Sequence, residues 1–190
     1  MGLKERLECR GYRYFEFSGR KEAVEFLCNE CAGKSVSFGG SMTVKEIGLY
    51  EALSVRSRCA WHWMQDAAEE IGNATVFITS ANALAETGEI VNIDGNGNRV
   101  SGTIYGHDEV FFVVGQNKLT PDLPSAWDRA RNVAAPLNAK RLNRNTPCVK
   151  DGVCHDCQSP DCICSAIAIL RRKPSSCRAT VVVIREDLGY

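Results

Sequence analysis

ATVFITSANALAETGE, residues 74–89, decides the fold. Its first part, Ala74 to Thr79, is an unbroken apolar run rich in β-branched side chains, the composition of a strand buried on both faces of a parallel sheet. Small and polar residues follow, so Ser80 and Asn82 stand at the carboxyl end of a central strand, where open α/β sheets bind ligands. Glu86 is the one carboxylate there placed to act as a base or hydrogen-bond acceptor. An exposed loop glutamate is the plain alternative.

Toward the N-terminus, KSVSFGGSMTVKEIGLYEAL (residues 34–53) predicts a short strand from Ser35 to Phe38, a tight turn at Gly39-Gly40 and a helix from Thr43 to Leu53. Thr43 and Glu46 form a T-x-x-E capping box. A strand running through glycines into a capped helix gathers backbone N–H groups in front of a positive helix end, so the Gly39 to Thr43 loop is an expected anion cradle. No G-K-[ST] marks it as a Walker loop, and a turn that needs glycine for positive φ explains the same residues. Around it, YRYFEF (residues 12–17) reads as a strand, and Val24, Leu27, Cys28 and Cys31 carry helical spacing. Arg58 to Trp61 is a further strand. Met64, Ala67, Ala68 and Ile71 again show helical spacing up to Gly72, with His62 a structural residue at the helix entrance.

Toward the C-terminus, Glu89 to Ile93 and Asn98 to Ile104 read as a hairpin around DGNGN, with Asp94-Gly95 as the turn signal. Glu109 to Gly115 is another buried strand. Pro124 opens a helix with Trp127, Ala130 and Ala134 inside, and Pro136 starts a further turn that delivers Asn138, Lys140 and Arg141 to the cysteine loop. The chain ends on a strand from Ala179 to Asp187. Strand and helix alternate throughout, which predicts one α/β domain over residues 1–190, built on a doubly wound, mostly parallel open sheet with a β-hairpin flap.

The loop at residues 146–165 holds Cys148, Cys154, Cys157, Cys162 and Cys164, five of the ten cysteines, and four of them follow C-x5-C-x2-C-x6-C. Four thiolates suit tetrahedral zinc or an iron-sulfur cluster, and this spacing does not choose between them. Disulfides and inert buried thiols are the other readings. The charged opening, MGLKERLECRGY, is no signal segment, so a reducing cytoplasm and ligation are expected over covalent stapling. His155, between two cysteines, reads as an outer-sphere or solvent-facing residue. Twenty-three basic and twenty-three acidic side chains cancel, which leaves no broad field for nucleic acid. Apolar runs stop well short of the roughly 18 residues of a membrane helix, so no membrane insertion is expected.

GGSMTVKEIGLYEAL, ITSANALAETGEIVNIDGNGNRV, VFFVVGQNKL, RNVAAPLNAKRLN and the TPC..GVC.DC.SPDCIC tail together resemble the LUD domain, or lactate-utilization protein, family from about Lys34 to Arg172. The resemblance implies the sugar-isomerase and CoA-transferase-like α/β fold. Relatives take part in lactate oxidation beside iron-sulfur partner proteins. The family pattern falls on Gly39, Gly40, Ser41, Thr43 and Glu46, then on Ser80, Asn82 and Glu86, and then on Gly88, Asn92, Asp94, Gly95, Asn98 and Arg99. In the tail it falls on Cys148, Cys154, Cys157 and Cys164, and Cys162 stands where relatives are expected to carry a basic residue.

Two functions follow as expectations. One is a cytoplasmic protein of small organic acid metabolism with an iron-sulfur cluster, 4Fe-4S, on the four cysteines. A small anionic metabolite would dock at the Gly39 to Thr43 loop, facing Ser80, Asn82 and Glu86, with Asp94, Asn98, Lys140 and Arg141 nearby. An iron-sulfur or redox partner protein would accompany it, and a homo-oligomer stays open. The other is a non-catalytic binding or assembly module in which the same cysteines hold a structural zinc.

Overall fold

The computed structural model of the chain describes residues 1–64 and 72–190. Ten strands are described: β1 (Arg13–Phe17), β2 (Ser35–Phe38), β3 (Arg58–Trp61), β4 (Val76–Thr79), β5 (Ala83–Ala85), β6 (Ile90–Asp94), β7 (Glu109–Gly115), β8 (Leu119–Thr120), β9 (Ala166–Leu170) and β10 (Arg178–Ile184). Six of them form one sheet in the order β1-β10-β7-β4-β2-β3. Every pairing in it is parallel.

Both faces of this sheet are covered, which is why its inner strands read as continuous apolar runs. Along β7 the side chains alternate: Phe111 and Val113 join a core with Phe38, Ile78 and Leu27. Val110, Phe112 and Val114 join a second core on the opposite face with Phe77, Leu84 and Ile90. The helix Arg20–Cys31 contributes Leu27, Cys28 and Cys31 to the first core, so this C-x2-C pair packs as small apolar residues. The expected helix on Met64, Ala67, Ala68 and Ile71 falls on residues 65–71, outside the described residues.

A second, four-stranded sheet runs β8-β5-β6-β9. It corrects the expected hairpin. β6 pairs antiparallel with β5 on one side and β9 on the other. Asn98–Ile104 is a helix instead of a strand. The cause is Asp94, whose Oδ2 accepts from the backbone N–H groups of Arg99 (2.8 Å) and Val100 (3.1 Å) and so satisfies donors that an extended chain would direct to a neighbour. Gly102 on this helix lies hard against the Phe77 ring, where a Cβ would come within 2.7 Å.

Two further expectations change. The helix after the glycines is capped by Ser41, whose Oγ accepts from Val44 N at 3.2 Å, and not by Thr43. It spans only Met42–Glu46, ends at Gly48 in the left-handed conformation (φ 67°), and a second helix follows at Leu49–Ser54. Pro136 interrupts nothing: Leu123–Arg129, a π-helical turn at Ala130–Ala134 and Ala135–Arg141 run on as one helical stretch. The widened turn is where a helix accommodates a residue without an N–H.

Candidate functional site

Because the large sheet is parallel, the chain leaves β2, β4 and β7 at the same edge, and these strands are neighbours. Gly40 and Ser41, Ser80 to Asn82 and Lys118 therefore meet there, and with Trp63, Arg99, Arg141, Arg144 and Tyr190 they line a pocket of about 250 Å³, with Gly39 just behind the lining. Gly39 and Gly40 are needed for space: neither has a positive φ. A Cβ on Gly39 would lie 2.9 Å from the Phe77 ring and 3.0 Å from Arg99, and one on Gly40 would lie 3.1 Å from the Trp63 indole nitrogen.

Lys118 forms the floor. Only 3% exposed, it donates from Nζ to Thr43 Oγ1 at 2.7 Å and Ser80 Oγ at 3.1 Å. Burial, with the Arg129 and Arg99 charges adding to it and Glu46 opposing, brings its pKa down from 10.5 to about 7. Arg99 is also buried. Its guanidinium donates to Ile93 O at 2.6 Å and lies 3.9 Å from the Asp94 carboxylate, and burial holds its pKa below the usual arginine range. Arg141 lies over the Trp63 ring, 5.4 Å from its centroid, and donates to Tyr190 Oη at 2.6 Å and Asn138 Oδ1 at 3.1 Å. With a helix of five residues behind the glycine loop, the dipole is a minor term, and the positive potential comes from these side chains.

The remaining expected site residues divide. Asp94 and Asn98 line the pocket. Asn82 lines it too while its Oδ1 accepts from Ile93 N at 2.7 Å, tying the pocket wall to β6. Thr43 and Glu46 act from behind it: Thr43 Oγ1 donates to Leu188 O at 3.1 Å, and a Glu46 carboxylate oxygen accepts from Gly189 N at 2.7 Å, which pins the C-terminal segment against the site. Glu86 does not reach the pocket. It is exposed in the turn between β5 and β6, where its carbonyl accepts from Arg6. Lys140 is exposed and outside the lining. Lys118 and Tyr190 are additions that the sequence reasoning missed, whereas Arg144 belongs to the basic cluster with Lys140 and Arg141 that the sequence offers for a small anion. Lys118 was accessible to it, since GQNK stands at the carboxyl end of a buried strand just as Ser80 does.

Beside this pocket is a second cavity, of about 510 Å³, lined by all five tail cysteines, Cys148, Cys154, Cys157, Cys162 and Cys164. All ten cysteines of the chain are free thiols. Among the described residues no three Cys, His, Asp or Glu side chains close on a point where one ion would sit. The sulfurs are arranged around a volume instead. Four thiolates around one cavity are a donor set that either zinc, at about 2.3 Å from each sulfur, or an iron-sulfur cluster takes. Two donors are aimed at Cys154, as at a thiolate: Arg131 reaches its Sγ at 3.5 Å and Asp156 N points to the same sulfur at 3.5 Å, while Cys164 N points to Cys162 Sγ at 3.4 Å. As a thiol, Cys164 is pushed up to about 12 by burial and then by Cys162, Cys154 and Cys148. His155 pairs with Asp151 at 2.7 Å, just past the end of the short helix Pro147–Asp151. Ile163 lines both cavities, and Gly95 packs on its backbone, where a Cβ would lie 3.4 Å from Ile163 Cα.

No helix among the described residues is long and apolar enough to cross a membrane. No curated protein matches the chain. Among solved structures it is similar to the crystal structure of a DUF162 family protein from Deinococcus radiodurans, at 13% identity and a TM-score of 0.56, with 96% of this chain and 93% of that chain covered. That likeness concerns the fold, and it agrees with the parallel sheet and its smaller companion. The LUD domain model matches residues 1–184, the whole span that carries the glycine loop, the cation-lined pocket and the cysteine cavity, and the chain belongs to the LUD domain family.

Proposed function

We propose that this LUD-domain protein binds a small organic acid in the pocket at the sheet edge and holds a redox-active 4Fe-4S cluster on Cys148, Cys154, Cys157 and Cys164 next to it. One observation carries this: the five-thiol cavity and the cation-lined pocket share Ile163 as a lining residue. Arg99, Arg141 and Arg144 face a space in which Asp94 is the lining carboxylate, so the pocket has a surplus of positive charge that an anionic ligand would balance. Arg141 and Arg144 would receive the carboxylate at the mouth. Trp63, braced by Trp61 in a stack with 4.8 Å between centroids, would cover it and exclude water. Such a cluster, when bound, supplies one-electron transfer. Arg131 would stabilise the Cys154 thiolate, and Ile163 would keep solvent out between the two sites.

Oxygen-free purification followed by absorption, iron and acid-labile sulfide analysis tests the metal part. Four irons and four sulfides per chain are expected from the cluster composition. One zinc in a colourless protein would replace it with the assembly-module reading. Titration of Trp63 fluorescence with lactate, pyruvate and phosphate tests the pocket, and no response to any of them would remove it.

A further inference from the structure

The Lys118 amine is held by two hydroxyls and by no described counter-charge. It is 3% exposed and lines the pocket, and among the described residues no carboxylate lies within ion-pair distance of it. Both of its hydrogen-bond partners are acceptors. The Thr43 hydroxyl gives its own proton to Leu188 O, so it can only accept from Lys118, and the Ser80 hydroxyl gives its proton to Thr43 Oγ1 or Ala81 O and accepts likewise. An ammonium has three N–H donors, and a neutral amine has two with a lone pair left over. These two acceptors satisfy both N–H donors of a neutral amine and leave its lone pair toward the pocket. Burial beside Arg99 and Arg129 favours the same form, and an amine brought to a pKa of about 7 has roughly a thousand times the free-base fraction of an exposed lysine at neutral pH.

We infer that Lys118 binds substrate covalently, its Nζ condensing with the carbonyl carbon of a small aldehyde or ketone whose anionic group is held by Arg99, Arg141 and Arg144, a 2-oxo acid being the first candidate. The nitrogen-carbon bond forms as the carbon-oxygen bond breaks. The two amine protons leave with the carbonyl oxygen as water, and no electrons change hands. Lys118 can take this role only if the pocket binds an anion as proposed above. The cavity of about 250 Å³ accommodates such a molecule with room to spare.

Reductive trapping tests it. The full-length protein, isolated without oxygen, is treated with sodium cyanoborohydride and pyruvate, or with dihydroxyacetone phosphate in a parallel arm. Intact mass and peptide mapping follow. The expected result is one adduct per chain at Lys118, at least about tenfold above any other lysine, as the difference in free-base fraction requires. It should be absent in Lys118→Arg and Lys118→Met, with circular dichroism confirming that both fold. An adduct from the phosphate arm alone supports the same residue with phosphate as the anionic group. Lactate, which has no carbonyl to attack, is titrated separately by Trp63 fluorescence. Binding of lactate and pyruvate without an adduct overturns the covalent role and leaves the anion pocket standing. An adduct spread evenly over the lysines also overturns it, and absence of any binding removes the pocket itself.

Discussion

Replacing Lys118 by Met should make the protein more stable at neutral pH while removing its trapping chemistry. The native chain holds this amine at a pKa of about 7, against 10.5 for an ordinary lysine. Between those values the unfolded chain binds a proton that the folded chain does not, so the wild type gains stability as pH rises through the window and loses it as pH falls toward 7. At and below pH 7 the penalty is complete, about 5 kcal/mol at 1.36 kcal/mol per pH unit. Methionine has similar length and no charge. It forfeits two hydrogen bonds of about 1 kcal/mol each, but strands no donor, because Thr43 still donates to Leu188 O and Ser80 to Thr43 or Ala81. A net gain of about 2–3 kcal/mol at pH 7 is expected, raising Tm by roughly 5–10 °C for a chain of this size. By pH 9 the gain should shrink by about 2 kcal/mol, since much of the wild-type penalty has then been relieved. Urea unfolding of both proteins at the two pH values measures this, and subtracting one from the other cancels every other titrating group. A variant less stable than wild type at pH 7, or a difference that ignores pH, would refute the account of Lys118 as an uncompensated buried amine.

Other outcomes are as specific. Cys157→Ala should lose iron and sulfide together, whereas Cys162→Ser should retain both, as measured by metal and sulfide analysis. Arg141→Ala should weaken anion binding about tenfold, equivalent to 1.4 kcal/mol, with a smaller dependence on salt than the wild type shows, read by fluorescence titration. Gly102→Ala forces a methyl group to 2.7 Å from the Phe77 ring and should cost about 1–3 kcal/mol in denaturant unfolding. Gly189→Ala meets Thr43 Oγ1 at 2.7 Å in a left-handed conformation, φ 59°, and should displace the segment over Lys118, lowering anion affinity more than stability.

The large sheet was legible in the sequence because buried parallel strands carry their own signature: ATVFIT, EVFFVVG and ATVVVI each became a strand of it. Ser80 and Asn82 could be placed at its functional edge for the same reason. What failed was decided by partners distant in sequence or by side-chain caps. DGNGN looks like a hairpin turn until Asp94 spends its carboxylate on two N–H groups downstream, and β9, over 70 residues away, takes the place beside β6. The Thr43 box was a fair local match, but Thr43 serves Lys118 and Leu188 instead, contacts that no window of neighbouring residues contains. Glu86 illustrates the opposite error: it stands near the right strand in sequence, yet β5 carries it away from the pocket.

Strand order also sets the timetable of assembly. β10 lies between β1 and β7, pairing over five residues with the first and seven with the second, so the amino-terminal strand has no place in the sheet until Arg178–Ile184 has left the ribosome. Until then β1 and β7 present bare hydrogen-bonding edges flanked by apolar side chains, the kind of surface that chaperones cover and that aggregates recruit. Closure across so many intervening residues is slow, and truncation before Arg178 would leave β1 unpaired beside a four-stranded remnant, β7-β4-β2-β3.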